Sequence, residues 1–412
     1  MPHAQTLCEA RICRCDTWAV TETAQAAVSP ETATQPLAEE RRTSSVELFW
    51  DLVFAFAITQ VATLLSKHLT WAGFGRAMLI LALVWWAWSA FVWAANAQAN
   101  DSAVLRLALL VASAFIFVSG LAIPDAFGSR SLLFALTYAV VRFLHLALYA
   151  DASRRGNASW SAIAGFAVTV GIGMALLIAG AVLHDGARIA LWAVAVAIDY
   201  AGPAWLTRQR LRSLQRVAVA HFAERYSLFV IICLGESIVA TGVGAANGHQ
   251  QSSAQLIAIV ALGLLITAAM WWTYFDRFAA VAERRLRTHR DPVIAAADSY
   301  SYLHLLIVAG IITFASAVRQ LVRAPGVVPT ESIRLALCGG VALYLAGHVA
   351  FASRITRTLT YEKLGIIAAL VILFAVGGGM SAIAVAATIT LLLVVLCALE
   401  RIAILRRFDR AI

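Results

Sequence analysis

The sequence predicts an all-α, polytopic membrane bundle of about twelve transmembrane helices, with both termini cytoplasmic. Three observations carry that reading. The chain of 412 residues is 61% hydrophobic and only 13% charged, against about 45–50% and about 25% in soluble domains. Its apolar residues come in runs near the roughly 20 residues that a spanning helix needs. Its basic residues sit in short clusters between those runs and gather on alternate sides, the distribution of cytoplasmic loops.

Residues 1–40 are rich in Ala, Thr, Glu and Gln, with Pro30 and Pro36 and no sustained apolar run. Without an apolar core this stretch is no signal peptide, and it reads as a disordered cytoplasmic tail. Cys8, Cys13 and Cys15 lie in it at a spacing unlike that of zinc sites, with no His cluster after them. Cys233, Cys338 and Cys397 fall inside apolar runs and read as small core residues. No disulfide, metal or cofactor is called for.

Arg41 and Arg42 close the tail, and the apolar runs follow at 46–66, 75–96, 102–122, 131–150, 161–183, 188–206, 222–243, 254–276, 296–317, 331–353, 364–379 and 380–400. Only Gly377, Gly378 and Gly379 separate the last two, which leaves one broken helix and a tight hairpin equally open. With the N-terminus inside, the tail and the clusters at Arg154-Arg155, Arg208 to Arg225, Arg277 to Arg290, Arg354 to Lys363 and Arg401 to Arg410 all fall on the cytoplasmic side. Lys67, Arg76, Arg130, Arg188, Arg319, Arg323 and Arg334 fall on the other. The formal charge of +9 is thus spread along one membrane face. No segment interleaves basic and aromatic residues, so nucleic acid is excluded as a partner.

The halves echo one another. Trp85-Trp86 is matched by Trp271-Trp272, Asp101-Ser102 by Asp298-Ser299, His145 by His348 and Glu47 by Glu224. Six spans per half give both copies the same orientation, so the duplication would be a parallel repeat about an axis along the membrane normal. The copies are 41–217 and 218–412.

The polar residues inside the runs are the candidate site. The stretch 46–60 is apolar enough to enter a bilayer, yet carries Glu47 and Asp51 at i, i+4, on one helix face. Ala55, Thr59, Thr63 and Ser66 continue that face, while Phe, Trp, Leu, Val and Ile fill the others. A carboxylate at the bilayer centre costs about 2.5–3.5 kcal/mol on insertion scales, so this seam should turn inward. Glu236 lies within the seventh run, in Leu234-Gly235-Glu236-Ser237. Arg142 and His145 share a face of the fourth run, Asp199 is deep in the sixth, and His304 and His348 lie in the ninth and tenth. Glu224 and Arg225 open the seventh run, where capping or anchoring at the interface explains them. The plain structural reading of the rest is that they pair across helices and fix the packing, with Arg142 neutralising Asp51, Asp199 or Glu236. The twelve Trp read mostly as interface anchors. There is no HExxH, Walker A loop, G-x-S-x-G or CxxC, so no catalytic residues are assigned.

Val46-Glu47-Leu48-Phe49-Trp50-Asp51-Leu52-Val53-Phe54, followed by Ala57-Ile58-Thr59-Gln60, resembles the opening signature of the bacterial low-temperature requirement protein A family. Glu224-Arg225 with Ile231-Ile232-Cys233-Leu234-Gly235-Glu236-Ser237-Ile238 resembles its second signature. Trp50 stands where the family usually has Phe. The resemblance runs from about Arg41 to the C-terminus and implies a multi-pass protein of the bacterial inner (plasma) membrane, with no established substrate. Arg42, Phe49-Trp50-Asp51, Val53-Phe54-Ala55 and Ile58-Thr59 are also similar to the first helix of two-repeat lysosomal potassium channels and their bacterial relatives. There Ser stands in place of Trp50, and both repeats carry the motif; here Tyr226-Ser227-Leu228 occupies the second position.

The expected function is therefore an ion or proton-coupled channel or transporter, with Glu47, Asp51, Thr59, Glu236, Asp199, Arg142 and His145 as the pathway candidates. A membrane-embedded enzyme or lipid-handling protein, and a non-catalytic scaffold or sensor whose Arg-rich loops 207–217 and 284–290 dock anionic lipid, are the alternatives. The partners expected are membrane lipids, a monovalent cation or proton, and a second copy of the chain in a homodimer.

Overall fold

A computed structural model describes residues 43–97, 102–155, 160–202, 218–246 and 254–408. These lie within a single unit, Glu40–Ile412. The N-terminal tail with its three cysteines, and the Arg-rich loop 207–217, lie outside the described residues. The described residues are helical, with no strand among them. The helices are α1 (Ser45–Lys67), α2 (Trp71–Ala97), α3 (Ala103–Ala122), α4 (Ser131–Arg154), α5 (Trp160–Ala181), α6 (Asp185–Ala201) and α7 (Val219–Ala246). They continue as α8 (Ala254–Arg287), α9 (Pro292–Leu321), α10 (Glu331–Thr356), α11 (Tyr361–Val376) and α12 (Ala382–Phe408).

Among the described residues, eleven helices are long and apolar enough to cross a membrane. The shortfall from twelve is α6, which has 17 described residues. It nevertheless runs antiparallel to α5 over its whole length. Trp192 Nε1 donates to the Leu177 carbonyl at 2.9 Å, and Gly173 lies under Asp199 and Ala195. The glycine run resolves as a hairpin. A short 3₁₀ turn, Gly377–Gly379, separates α11 from α12, and Lys363 at the head of α11 meets Glu400 near the far end of α12 at 2.8 Å.

Two elements differ from the sequence expectation. The eighth helix does not stop at 276. It passes through a π turn, Tyr274–Phe278, and continues to Arg287, so Arg277, Arg284, Arg285 and Arg287 are helical rather than in a loop. The ninth contains a second π segment, Ala297–Leu303. Such segments release backbone groups from the regular ladder, and the Ser301 carbonyl accepts the Trp85 indole N–H at 2.7 Å. Tryptophan is the other departure. Trp50, Trp85, Trp88 and Trp192 are fully buried core residues, whereas Trp71, Trp160, Trp271 and Trp272 are exposed as interface anchors would be.

Neighbour relations run alike in the two halves. In the first, α1 packs on α2 and α3, α2 on α4 and α6, and α3 through α6 pack in sequence. In the second, α7 packs on α8 and α9, α8 on α10 and α12, and α9 through α12 pack in sequence. The tightest contact is between α9 and α10. A Cβ on Gly340 would come within 2.6 Å of the Phe314 amide nitrogen, and one on Gly347 within 2.8 Å of that of Ile307. Small residues let these backbones approach, the usual basis of helix association in lipid. The halves meet where α1 packs on α7 and α9.

Candidate functional site

Helix α1 is built to be shared. Its Leu48, Phe49 and Leu52 face outward, and Glu47, Trp50, Asp51 and Phe54 are buried. Its inward surface is wider than a single polar seam, because Trp50 packs on Phe54 and Phe91 with ring centroids 4.6 and 4.5 Å away.

The carboxylates of that surface meet α7 and α9 at successive depths. At the head of α1, Glu47 Oε2 accepts from the Ser44 amide at 2.8 Å and the Ser44 hydroxyl at 3.0 Å, which is how a residue at this position closes a helix N-terminus. The same oxygen lies 3.2 Å from His221 Nε2. One turn on, Asp51 Oδ1 accepts from Arg225 at 2.7 Å and from Trp88 Nε1 at 2.8 Å. Two turns further, Glu236 of α7 accepts from the Thr59 hydroxyl at 2.5 Å and from Arg319 of α9 at 2.8 Å. Arg319 also donates to the Thr63 hydroxyl at 2.7 Å. The series ends where the Gln320 amide donates to the Ser66 carbonyl.

These contacts advance along α1, α7 and α9 in the same direction, so the three helices are parallel. From Glu47 to Ser66 the ladder rises about 29 Å at ~1.5 Å per residue, close to the ~30 Å hydrocarbon thickness of a bilayer. Asp51 and Arg225 are each at most 2% exposed. A buried pair of this kind gains from mutual attraction about what it loses in desolvation, but removing one member strands the other and costs about 3–5 kcal/mol.

The remaining predicted residues fall elsewhere. Arg142 pairs with Asp199 at 2.6 Å, both buried, joining α4 to α6. Of the three carboxylates open to it by sequence, Arg142 therefore takes Asp199. His145 is buried beside it, its ring 6.0 Å from Phe91. Arg142 and His145 line a small cavity of about 40 Å³ with Ser89, Ser301 and Tyr302. Arg225 is not an interfacial cap, because α7 begins at Val219 and Arg225 already faces inward. Glu224 points outward and is exposed. His304 is held by the Tyr274 hydroxyl at 2.7 Å.

Sequence reasoning did not select His221, Trp88 or Arg319 for the site, and it placed Thr63 on the inward seam without a partner. The apolar run 296–317 leaves Arg319 on the outer side; it is in the last turn of α9 and 8% exposed. One signal was present: an Arg at the end of an apolar run balances a carboxylate at similar depth in another.

The profile of the bacterial low temperature requirement A (LtrA) family matches residues 42–398. The chain belongs to the LtrA family. An uncharacterized protein of Rhizobium meliloti (strain 1021) is 30% identical over 330 residues, covering 79% of this chain and 80% of that protein. No solved structure matches. Both stretches that resemble the family's signatures lie on the ladder. The first supplies Glu47, Asp51 and Thr59 from α1, and the second supplies Arg225 and Glu236 from α7. This LtrA protein is thus a multi-pass membrane protein whose two signature segments are in contact.

Proposed function

We propose that this LtrA protein is a proton-coupled transporter, and that Asp51 and Glu236 are its proton-binding groups. The observation that carries the reading is their common arrangement. Each is a buried carboxylate paired with an arginine on a neighbouring helix, at two depths of one ladder of bilayer length. Ionisable groups inside a membrane mark ion and proton paths. A hydrated cation needs an open channel, and these side chains are shut in; a proton passing between hydrogen-bonded groups needs only local rearrangement. Protonating Asp51 would free Arg225, with Glu47 one turn away as its alternative partner. The same step at Glu236 would release α9 from α7.

We further infer a parallel duplication, 41–217 and 218–412, supported by the like neighbour relations of the halves and by the common direction of α1 and α7. That common direction also favours a twelfth crossing at α6, since an odd number of helices between α1 and α7 returns the chain to its starting side. The bacterial inner membrane is the expected location.

The test is proton flux in liposomes holding the purified full chain and a pH-sensitive dye. Flux above empty vesicles is expected under an imposed pH gradient, reduced by Asp51→Asn and by Glu236→Gln in protein that still elutes as a folded species. Flux equal to empty vesicles removes the reading. Unchanged flux in both variants would leave the pairs a packing role alone.

A further inference from the structure

Away from the ladder, the ends of α8, α10 and α12 and the start of α11 enclose a cavity of about 310 Å³. Its wall is more polar than its place at the edge of a bundle requires. Arg277, in the π turn of α8, and Arg285, farther along the same helix, both line it. Neither has an ion-pair partner among the described residues. Lys363 also lines it but is held by Glu400 at 2.8 Å. Glu362 is at the mouth and exposed. The cavity therefore presents two uncommitted guanidinium groups.

Two further groups in the wall lack partners. His348 is fully buried, and neither of its ring nitrogens has a hydrogen-bond partner. The Thr360 hydroxyl, beside the first turn of α11, is buried and likewise unsatisfied. A buried polar atom without a partner costs about 1–3 kcal/mol, so a ligand that reaches both groups in the wall of this cavity gains by satisfying them. A phosphate group fits the set. It accepts from guanidinium, hydroxyl and imidazole N–H donors, and guanidinium groups match its oxygens well.

We propose that this cavity is a binding site for a phosphate-bearing ligand, held by Arg277 and Arg285 and completed by His348 and Thr360. The mouth points to its source. Leu359 is 51% exposed and Tyr361 is 74% exposed, and Arg284 and Arg287 stand close by on α8. Apolar side chains beside a basic helix end suit an anionic phospholipid, with its head group inside and its chains along the bundle. The site shares no residue with the α1–α7–α9 ladder, and its fate is separate from that of the transport reading.

The test uses the full chain, stripped of lipid in detergent and examined by native mass spectrometry. Phosphatidylglycerol should bind at one site in preference to phosphatidylcholine. The double variant Arg277→Gln/Arg285→Gln should weaken that binding about tenfold or more. Arg277→Lys/Arg285→Lys should recover part of it, and Arg290→Gln, at an exposed position outside the cavity, should leave it unchanged. Inorganic phosphate at millimolar concentration is the second arm. If it displaces the lipid, or binds with the same dependence on Arg277 and Arg285, a free phosphate compound is the source. Should the Gln variant fail to fold, phenylglyoxal labelling of Arg277 in the unaltered protein gives the answer. Protection by phosphatidylglycerol or phosphate upholds the site. Labelling unaffected by either, or lipid binding indifferent to both arginines, overturns it.

Discussion

The third and ninth helices hold matching places in their halves and have opposite surroundings. Each packs on the helix that opens its half and on the helix that follows. Yet 44% of the α3 span is buried inside the bundle against 78% of the α9 span. Helix α3 turns Leu107, Leu110, Phe117 and Leu121 outward. Helix α9 instead places Ser316, Arg319 and Gln320 on α1. The two halves share their neighbour relations and differ in their polar content. The polar ladder therefore draws on α9 and not on α3. Polar links confined to one half differ as well. Arg142–Asp199 in the first is buried beside a cavity of only about 40 Å³, whereas in the second Lys363–Glu400 lines one of about 310 Å³.

This asymmetry can be broken by substitution. The largest effect is expected at the ion pair that joins α7 to α9 within the second half. Arg319→Ala leaves Glu236 buried without its counter-charge and should cost about 3–5 kcal/mol in denaturant unfolding in detergent micelles. Glu236→Gln/Arg319→Gln should recover most of that loss, and equal losses in the single and double variants would mean the pair is not what joins α7 to α9. Next comes the packing of α9. Gly340→Ala drives a Cβ against the Phe314 backbone and should cost about 1–3 kcal/mol. In the first half, Gly75 has open space around it, so Gly75→Ala should raise stability by about 0.5–1 kcal/mol. Of similar or smaller size is the effect at the tryptophan pair proposed as repeat equivalents. Trp85→Phe loses a buried hydrogen bond to Ser301, about 1 kcal/mol. Trp271→Phe, half exposed, should stay within about 0.5 kcal/mol. Matching losses at Trp85 and Trp271 would argue that the halves are alike after all.

The bundle was legible in the sequence because lipid imposes a length and a composition on every crossing. The carboxylates were legible for the same reason, since Asp51 and Glu236 stand out against apolar runs that must be dehydrated. Their partners were not. Arg319 and Arg225 lie toward the ends of their runs, where a basic residue is ordinary, and only packing between positions 83 and 174 residues apart makes them counter-charges. The π segments were hidden too, because the side chains of Tyr274–Phe278 fit a regular helix as well as a widened one. The end of α8 moved for that reason. Trp85 and Trp88 depart from the general expectation of interface anchors because their N–H groups find acceptors deep in the bundle, in Ser301 and Asp51.

Glu236 grips a hydroxyl on one rod and a guanidinium on another, and that guanidinium reaches back to the first. None of the three rods can slide without tearing two of these clasps. The face of α9 toward α10 is different in kind: Gly310, Gly340 and Gly347 let the two backbones come close there, and apolar packing takes the place of ionic contacts. On the proposed proton mechanism, α1, α7 and α9 travel as one body until Glu236 is neutralised, and shear is expected first on the α9–α10 face.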